Sequence, residues 1–275
     1  MANYRPAGDD HAIDQAIVGV RLKERADETH HAEALKLATE LAVDFKLPGR
    51  MQLDPMSMLF GRQNISFGYE GQSETLGGHL FQHVNPDGTT SQELTLEPTA
   101  VTFRTMAYER WSDIQKIIRE AILPITTALT GGHLTRVSVV ELRCIDRFVN
   151  DGPDKVALLD IIAKRSSLLP SFLEERTSSL HSHIGWFDDL SPNERYLYNL
   201  NVGVSDTDTD QTVHLLQVVS RHLREGLPED DSGGLALEAA FDDLHARDKG
   251  LLEMLLNDAV KQRINLAGRT TPVLP

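Results

Sequence analysis

A helix joined to a strand by two glycines constrains the fold of this chain more than any other feature. Apolar residues recur every three or four positions, the spacing of one buried helical face: Trp111, Ile114, Ile118, Ile122, Ile125 and Leu129. Gly131 and Gly132 predict the end of this helix, because glycine is common just after the last helical residue. Residues 135–148 are then rich in β-branched and aliphatic side chains, which predicts a well-buried strand. We expect Trp111 to anchor the helix on a sheet.

The composition is that of a folded globular protein. The chain has 275 residues, of which 40% are hydrophobic, enough for one large domain or two small ones. No run approaches the roughly 18 consecutive apolar residues of a membrane helix, and the polar residues 1–14 lack the apolar core of a signal peptide. The single cysteine, Cys144, lies within the apolar strand and is expected to be a small buried hydrophobe. We therefore expect a cytoplasmic protein that does not enter a membrane.

Patterns on either side of the central stretch predict the remaining elements. Before it we expect a strand at 17–24, a helix at 31–45, and short strands at 65–69, 78–84, 92–97 and 100–106. After it we expect a helix at 155–169, strands at 180–187, 195–204 and 212–219, and a terminal helix at 235–264. A turn-rich segment is expected at 188–193, and Pro124 is expected to kink the last turns of the central helix.

The order of these elements repeats, which predicts an α+β fold with an internal duplication. Each half contains a strand, a helix, several antiparallel strands and a long helix, and residues 17–23 can be aligned with residues 137–143. We expect curved antiparallel sheets with long covering helices, in a first half of residues 1–130 and a second of residues 131–266. No Pro/Ser-rich linker separates the halves, so a shared core is expected, followed by a loose tail at 267–275. Chance similarity of two amphipathic strands is the alternative to duplication.

Parts of the central stretch resemble a known pattern. Tyr108 and Trp111 open the helix, and residues 139–148 read Val-Val-Glu-Leu-Arg-Cys-Ile-Asp-Arg-Phe. These features are similar to the signature of a sporadically distributed, uncharacterised bacterial family of about this length, with a Tyr-x-x-Trp helix and an Arg-Ile-Gly-Leu-Arg-Tyr-Ile-Asn-like strand. The strand departs from that signature at Val139, Glu141, Cys144 and Asp146. The resemblance implies a bacterial origin and a mobile or defence-related locus, and it transfers no catalytic residue.

Histidines in the second half supply the candidate chemistry. Arg176 and His181 have the Arg-x4-His spacing of a class of metal-independent ribonucleases, and His181 and His183 share a face if they lie on a strand. With His214 they define an alternative function, a ribonuclease or a metal-dependent hydrolase. Exposed polar strand residues are the simpler explanation, since the sequence has no phosphate loop, dinucleotide fingerprint or nucleophile elbow. No metal site and no cofactor are predicted.

The excess of acidic residues favours binding over catalysis. With 41 acidic and 27 basic residues the net charge is -14, which disfavours nucleic acid as a partner. Acidic groups expected in loops form the candidate interaction surface: Asp188, Asp189, Glu229, Asp230 and Asp231. We therefore predict a non-catalytic protein-interaction or binding module with an unknown protein partner, for which charge complementarity favours a basic one. A small-ligand carrier with an apolar cavity is a second alternative.

Overall fold

The computed structural model describes residues 4–8, 11–53, 78–150, 158–164, 166–173, 179–206, 211–228 and 234–266. The strands are β1 (Tyr4–Pro6), β2 (Ile13–Leu22), β3 (Gly49–Gln52), β4 (His79–Val84), β5 (Thr90–Glu97), β6 (Ala100–Thr105), β7 (Val137–Asn150), β8 (Leu180–Ser191), β9 (Glu194–Asp206) and β10 (Gln211–Leu223). The helices are α1 (Glu28–Asp44), α2 (Trp111–Ile117), α3 (Leu123–Thr130), α4 (Leu235–Leu255) and α5 (Asp258–Arg263). No helix in these residues is long and apolar enough to cross a membrane.

The ten strands of the described residues form one antiparallel sheet whose order is symmetrical about the central pair β2 and β7. The order is β3-β4-β5-β6-β2-β7-β10-β9-β8, and β1 pairs with the end of β7. In each half the first long strand, β2 or β7, pairs with the last strand of that half, β6 or β10. The other strands follow outward in reverse order. The predicted α+β class with antiparallel strands is confirmed.

One face of the sheet is covered by the helices. A row of apolar side chains in register crosses eight strands from β4 to β8 on this face: Phe81, Leu94, Phe103, Val18, Leu142, Val219, Tyr198 and Trp186. Helix α1 contributes a narrow stripe of buried alanines, Ala34, Ala38 and Ala42, to the same core cluster, and α4 contributes Phe241. Side chains this small let α1 approach its neighbours closely, and its most extensive contacts are with α3.

A second core cluster lies near the other end of β7, β9 and β10. Phe148 and Leu215 of the sheet pack there with Leu251 and Leu255 from the second half of α4. The segment of residues 158–173 adds buried side chains such as Ile161 to this cluster. Helix α4 therefore spans both clusters and contributes different residues to each.

The central helix forms as predicted, with an irregularity beside its proline. It contains a π-helical turn (Ile118–Ile122) that joins α2 to α3, directly before Pro124. Proline has no N–H to donate to the carbonyl of Glu120, four residues earlier, so a regular α-helical turn is disfavoured there. Gly131 ends α3 with a φ of 63°, a left-handed conformation that glycine adopts without steric cost.

One helix prediction is wrong within the described residues, and another is correct except for one interruption. Within residues 155–169, the described part contains only a short 3₁₀ turn (Leu158–Asp160) and an isolated β-bridge between Ile162 and Leu256. The terminal helix is interrupted, because Asn257 donates its side-chain amide to the carbonyls of Leu159 and Asp160 and caps the new helix α5 through the N–H of Val260. These contacts compete with a continuous helix and tie the two segments together.

Other predictions concern strand limits. The segment expected to be a turn at 188–193 is mostly strand, because β8 continues through Asp188 and Asp189 to Ser191. The strand expected at 65–69 and the tail at 267–275 lie outside the described residues.

The second face of the sheet is called the uncovered face below. Its side chains alternate with those of the core row, and none of those on β7, β10 and β9 belongs to either core cluster. Antiparallel sheets commonly have one packed and one solvated face. Here the second face is only partly open to solvent, since Asn201 and Ser220 on it are buried, and it carries aliphatic residues at its centre: Ile17, Ile145, Leu216 and Val218.

Candidate functional site

The three candidate histidines lie on the uncovered face. Gly203 of β9 pairs with His214 of β10 on one side and with His181 of β8 on the other, so both histidines stand in one row with a glycine between them. Adjacent strands are about 4.8 Å apart, which separates the backbones of the two histidines by about 10 Å. His183 stands in the next row on the same face, opposite Asn201. The tertiary structure therefore brings His214 into the neighbourhood of the pair that the sequence indicated.

These histidines do not form a metal cluster in the described structure. A zinc ion requires ring nitrogens about 2.0–2.1 Å from the metal, and the described residues contain no group of three or more potential ligands. Burial and the neighbouring Arg147 lower the pKa of His214, and Asp14 partly opposes this effect. Arg176, the other member of the ribonuclease-like pair, lies outside the described residues.

Three arginines on the uncovered face are held by carboxylates. Arg147 contacts Asp14 at 2.6 Å and Arg143 contacts Glu141 at 2.6 Å. Arg104 contacts Glu93 at 2.8 Å in the same way. Each guanidinium is thus neutralised locally, which lowers its ability to attract a phosphate backbone.

The predicted acidic surface is only partly described. Asp188 and Asp189 follow each other on β8, so they point to opposite faces of the sheet. Asp188 lies on the helix-covered face, where its Oδ2 atom is buried and has no hydrogen-bond partner. Asp189 is exposed on the uncovered face opposite Arg195. The other three acidic residues, Glu229, Asp230 and Asp231, lie outside the described residues.

Trp111 anchors α2 on α4 rather than directly on the sheet. Its indole ring stacks on the imidazole of His245, with centroids 4.0 Å apart and planes at 8°. The indole Nε1 donates a hydrogen bond to Asp242 at 2.8 Å, and Gln115 donates to the same oxygen. Burial lowers the pKa of His245 to about 4, so this imidazole is neutral at pH 7. The contact is a polar and aromatic junction between two helices.

A pair of buried carboxyl groups is the most perturbed site in the described structure. Asp146 on β7 and Asp248 on α4 are 1% and 2% exposed. Burial, and then the charge of Asp248, raise the pKa of Asp146 to about 8, and burial raises that of Asp248 to about 7. Gln217 lies close enough to lower the pKa of Asp146 slightly, although neither polar atom of its amide has hydrogen-bond geometry. Both acids therefore bind protons near neutral pH.

Cys144 completes this buried group. Its thiol lies close enough to Asp248 to lower the pKa of that acid, and burial holds the pKa of the thiol well above its usual range. A thiol in this state is a poor nucleophile, because the thiolate is the reactive form. The expectation of a small buried cysteine is confirmed, with the addition of a polar neighbour.

Perturbed carboxyl groups often mark active sites, but this pair lies between the two core clusters. Cys144, two residues before Asp146 on β7, belongs to the first cluster. Phe148, two residues after Asp146, and Leu251, three residues after Asp248 on α4, belong to the second. The two best-formed recesses of the described structure are lined by other residues and do not reach the pair. The pair therefore lies inside the packed core of the described residues, away from both recesses.

The sequence contained a signal for each member of this pair. Asp146 occupies a position whose alternation with Leu142, Cys144 and Phe148 predicts the core face of the strand, so a charged side chain there departs from the pattern. Asp248 lies between Leu244 and Leu251 on the buried stripe of α4, which is a similar departure. That the two residues meet depends on the tertiary structure.

The described residues offer little room for a small ligand. A recess lined by apolar residues of the 158–173 segment, such as Leu158 and Ile162, has a cavity volume of only about 10 Å³. Ligand pockets usually enclose about 300–1,000 Å³. This recess does not support the alternative of a ligand carrier.

No protein-family model matches this chain, and no curated protein matches it either. The function is therefore inferred from the geometry of the chain itself.

Proposed function

We propose that this protein is a non-catalytic protein-interaction module and that the uncovered face of the sheet is its binding surface. The observation that carries the proposal is the aliphatic centre of that face. Ile145 pairs with Leu216, and Arg143 stands between Ile17 and Val218 in the next row. Aliphatic side chains on both faces of the central strands are typical of strands covered on both sides.

The polar groups around this centre favour a protein over a nucleic acid. Arg104, Arg143 and Arg147 are each held by a carboxylate, and the net charge of the chain is -14. A phosphate backbone would meet neutralised arginines on a strongly acidic protein. A protein with an apolar contact surface and a basic rim would match both features.

The symmetrical strand order supports the duplication proposed from the sequence. Strands β2 and β7 occupy equivalent places at the centre of the sheet, and each begins a half with the same order of pairing. We infer that residues 1–130 and 131–266 are two related units that share one sheet. The binding surface then spans the junction of the two units.

A capture experiment with surface variants tests the proposal. Leu216→Glu places a charge at the centre of the uncovered face, and Val43→Glu places the same charge on α1, where Val43 is 77% exposed. The immobilised wild-type chain and the Val43→Glu variant are expected to retain the same protein from a host lysate, identified by mass spectrometry. The Leu216→Glu variant is expected to lose it while keeping the circular dichroism spectrum of the wild type.

Two results would contradict the proposal. Equal capture by all three chains would assign binding to another surface. RNA hydrolysis by the purified wild-type protein that disappears in the His181→Ala variant would favour the catalytic alternative instead.

A further inference from the structure

Strand β8 forms one end of the ten-stranded sheet and has a long outer edge. It runs for 12 residues, whereas β3 at the opposite end has four. Its inner edge pairs with β9, and no described strand pairs with its outer edge. In an antiparallel strand, alternate residues direct their N–H and C=O groups to each side, so about six residues present these groups outward.

The features that usually block such an edge are missing from most of β8. Residues 180–187 contain no lysine, proline or acidic residue, and the one irregularity in the pairing with β9 lies at the end of the strand, between Asp189 and Ser191. Proteins commonly protect exposed edges with inserted charges, prolines or bulges, because a bare edge pairs with another strand. Phe187 and Leu190 are also 46% and 56% exposed along this strand.

We propose that β8 pairs with β8 of a second copy of the chain, antiparallel, about a two-fold axis at Gly185. A two-fold axis perpendicular to the sheet keeps the helices of both copies on the same side, so opposed residues must face the same way. The axis must therefore lie at the position of one residue and not between two residues. Gly185 is the position that places both acidic residues of β8 opposite hydrogen-bond donors. The opposed pairs are His181 with Asp189, Leu180 with Leu190, Ser182 with Asp188, and Ile184 with Trp186.

The charges of β8 select this register. Both carboxylates of each copy then stand opposite a hydrogen-bond donor, the imidazole of His181 for Asp189 and the hydroxyl of Ser182 for Asp188. Moving the axis to Ile184 or Trp186 instead opposes Asp188 to Leu180 or Ile184, which leaves the carboxylate beside an aliphatic side chain.

Pairing in this way joins the sheets of two copies into one. The uncovered faces become continuous, and the helices lie together on the other side. The inference does not depend on the protein partner proposed above, because it concerns the outer edge of β8 and not the centre of the uncovered face.

Charge exchange at the edge tests the register. His181→Asp places two carboxylates opposite each other at both His181–Asp189 contacts of the dimer. Asp189→Lys places two basic groups opposite each other at the same two contacts. Like charges directly opposite one another destabilise paired strands, so each single variant is expected to raise the dimer dissociation constant at least about tenfold. Combining His181→Asp with Asp189→Lys restores opposite charges and is expected to recover the dimer. Both positions are exposed, but Asp189→Lys also stands opposite Arg195 of β9 in its own chain. Each variant must therefore keep the circular dichroism spectrum of the wild type for its dimer dissociation constant to be compared.

Sedimentation velocity of the full chain at micromolar concentration provides the measurement. The wild type is expected at twice the chain mass of 30.6 kDa. Met51→Asp is the matched control, because Met51 is 51% exposed on β3, the opposite edge strand, and this variant is expected to remain dimeric. A monomeric wild type overturns the proposal, and so does a dimer that both single variants leave unchanged. A double variant that stays monomeric would rule out the Gly185 register.

Discussion

Replacing Asp146 by asparagine should stabilise the protein at neutral and alkaline pH. Asparagine has nearly the same shape, carries no charge, and can donate a hydrogen bond to Asp248 or to the side-chain oxygen of Gln217, which has no partner. The variant therefore removes an ionisable group from the core without leaving a cavity. In the wild type, that group must either keep its proton or place a charge between the two core clusters.

The magnitude follows from the pKa of the buried acid. In the folded protein it is raised from 3.8 to about 8, and each pH unit corresponds to about 1.4 kcal/mol. The stabilisation by Asp146→Asn therefore has an upper limit of about 5–6 kcal/mol above pH 8. Because Asp146 and Asp248 titrate as a coupled pair, the expected stabilisation is smaller, about 2–4 kcal/mol. The folded state binds the proton more tightly than the unfolded state, so stability is highest below pH 4 for this group and decreases as the pH rises to about 8.

Urea denaturation at pH 5.5, 7 and 8.5 provides the assay. The free energy of unfolding of Asp146→Asn relative to the wild type is expected to grow by about 2–3 kcal/mol from pH 5.5 to 8.5. Taking the difference between the variant and the wild type cancels the contributions of other titrating groups to stability. His245 is one of these groups, because its lowered pKa makes stability decrease as the pH falls from 6.5 to about 4. Asp44→Asn, at an exposed residue at the end of α1, is the control and should show no such growth. A constant difference across the three pH values would refute a protonated Asp146 in the folded protein.

Three further predictions concern packing. Trp111→Ala should lower the free energy of unfolding by about 2–4 kcal/mol in urea denaturation, because it removes a partly buried indole, its stacking and its hydrogen bond. Trp111→Phe should lower it by about 1 kcal/mol. An unchanged denaturation midpoint for both variants would show that α2 is anchored elsewhere. Gly226→Ala should destabilise by more than about 3 kcal/mol, because φ is 83° and a Cβ atom would overlap the carbonyl of Thr135. Gly88→Ala, with φ of 85° and open space, is its control at about 1 kcal/mol, and equal melting temperatures would contradict the overlap. Tyr198→Phe should cost about 1–3 kcal/mol by thermal denaturation, because the phenol oxygen accepts a hydrogen bond from the buried guanidinium of Arg247 at 2.8 Å, and full stability would show that another acceptor replaces it.

Local patterns were sufficient to predict most individual elements. The three-to-four-residue spacing from Trp111 to Leu129 and the glycines after it predicted a helix and its end, and both are present. Alternating runs predicted the meander β4 to β6 and the strands β8 to β10. Such patterns work because they report which side of a single segment is buried, and that property is set by the segment's own residues.

Long-range contacts decided what the patterns could not. The apolar residues near 155–169 resemble a helix, but Asn257 binds the carbonyls of Leu159 and Asp160 and interrupts both segments. The same limit applies to strand order, since nothing in β2 or β7 alone specifies that they pair at the centre of the sheet.

The candidate sites show the same division. Period-two alternation predicted that His181 and His183 share a face, while the register through Gly203 placed His214 in the row of His181. Asp146 and Asp248 each depart from an apolar pattern, but their mutual burial arises only when α4 packs on β7. A sequence records the chemistry of each residue, whereas pKa values and binding surfaces depend on which residues become neighbours and how much water remains between them.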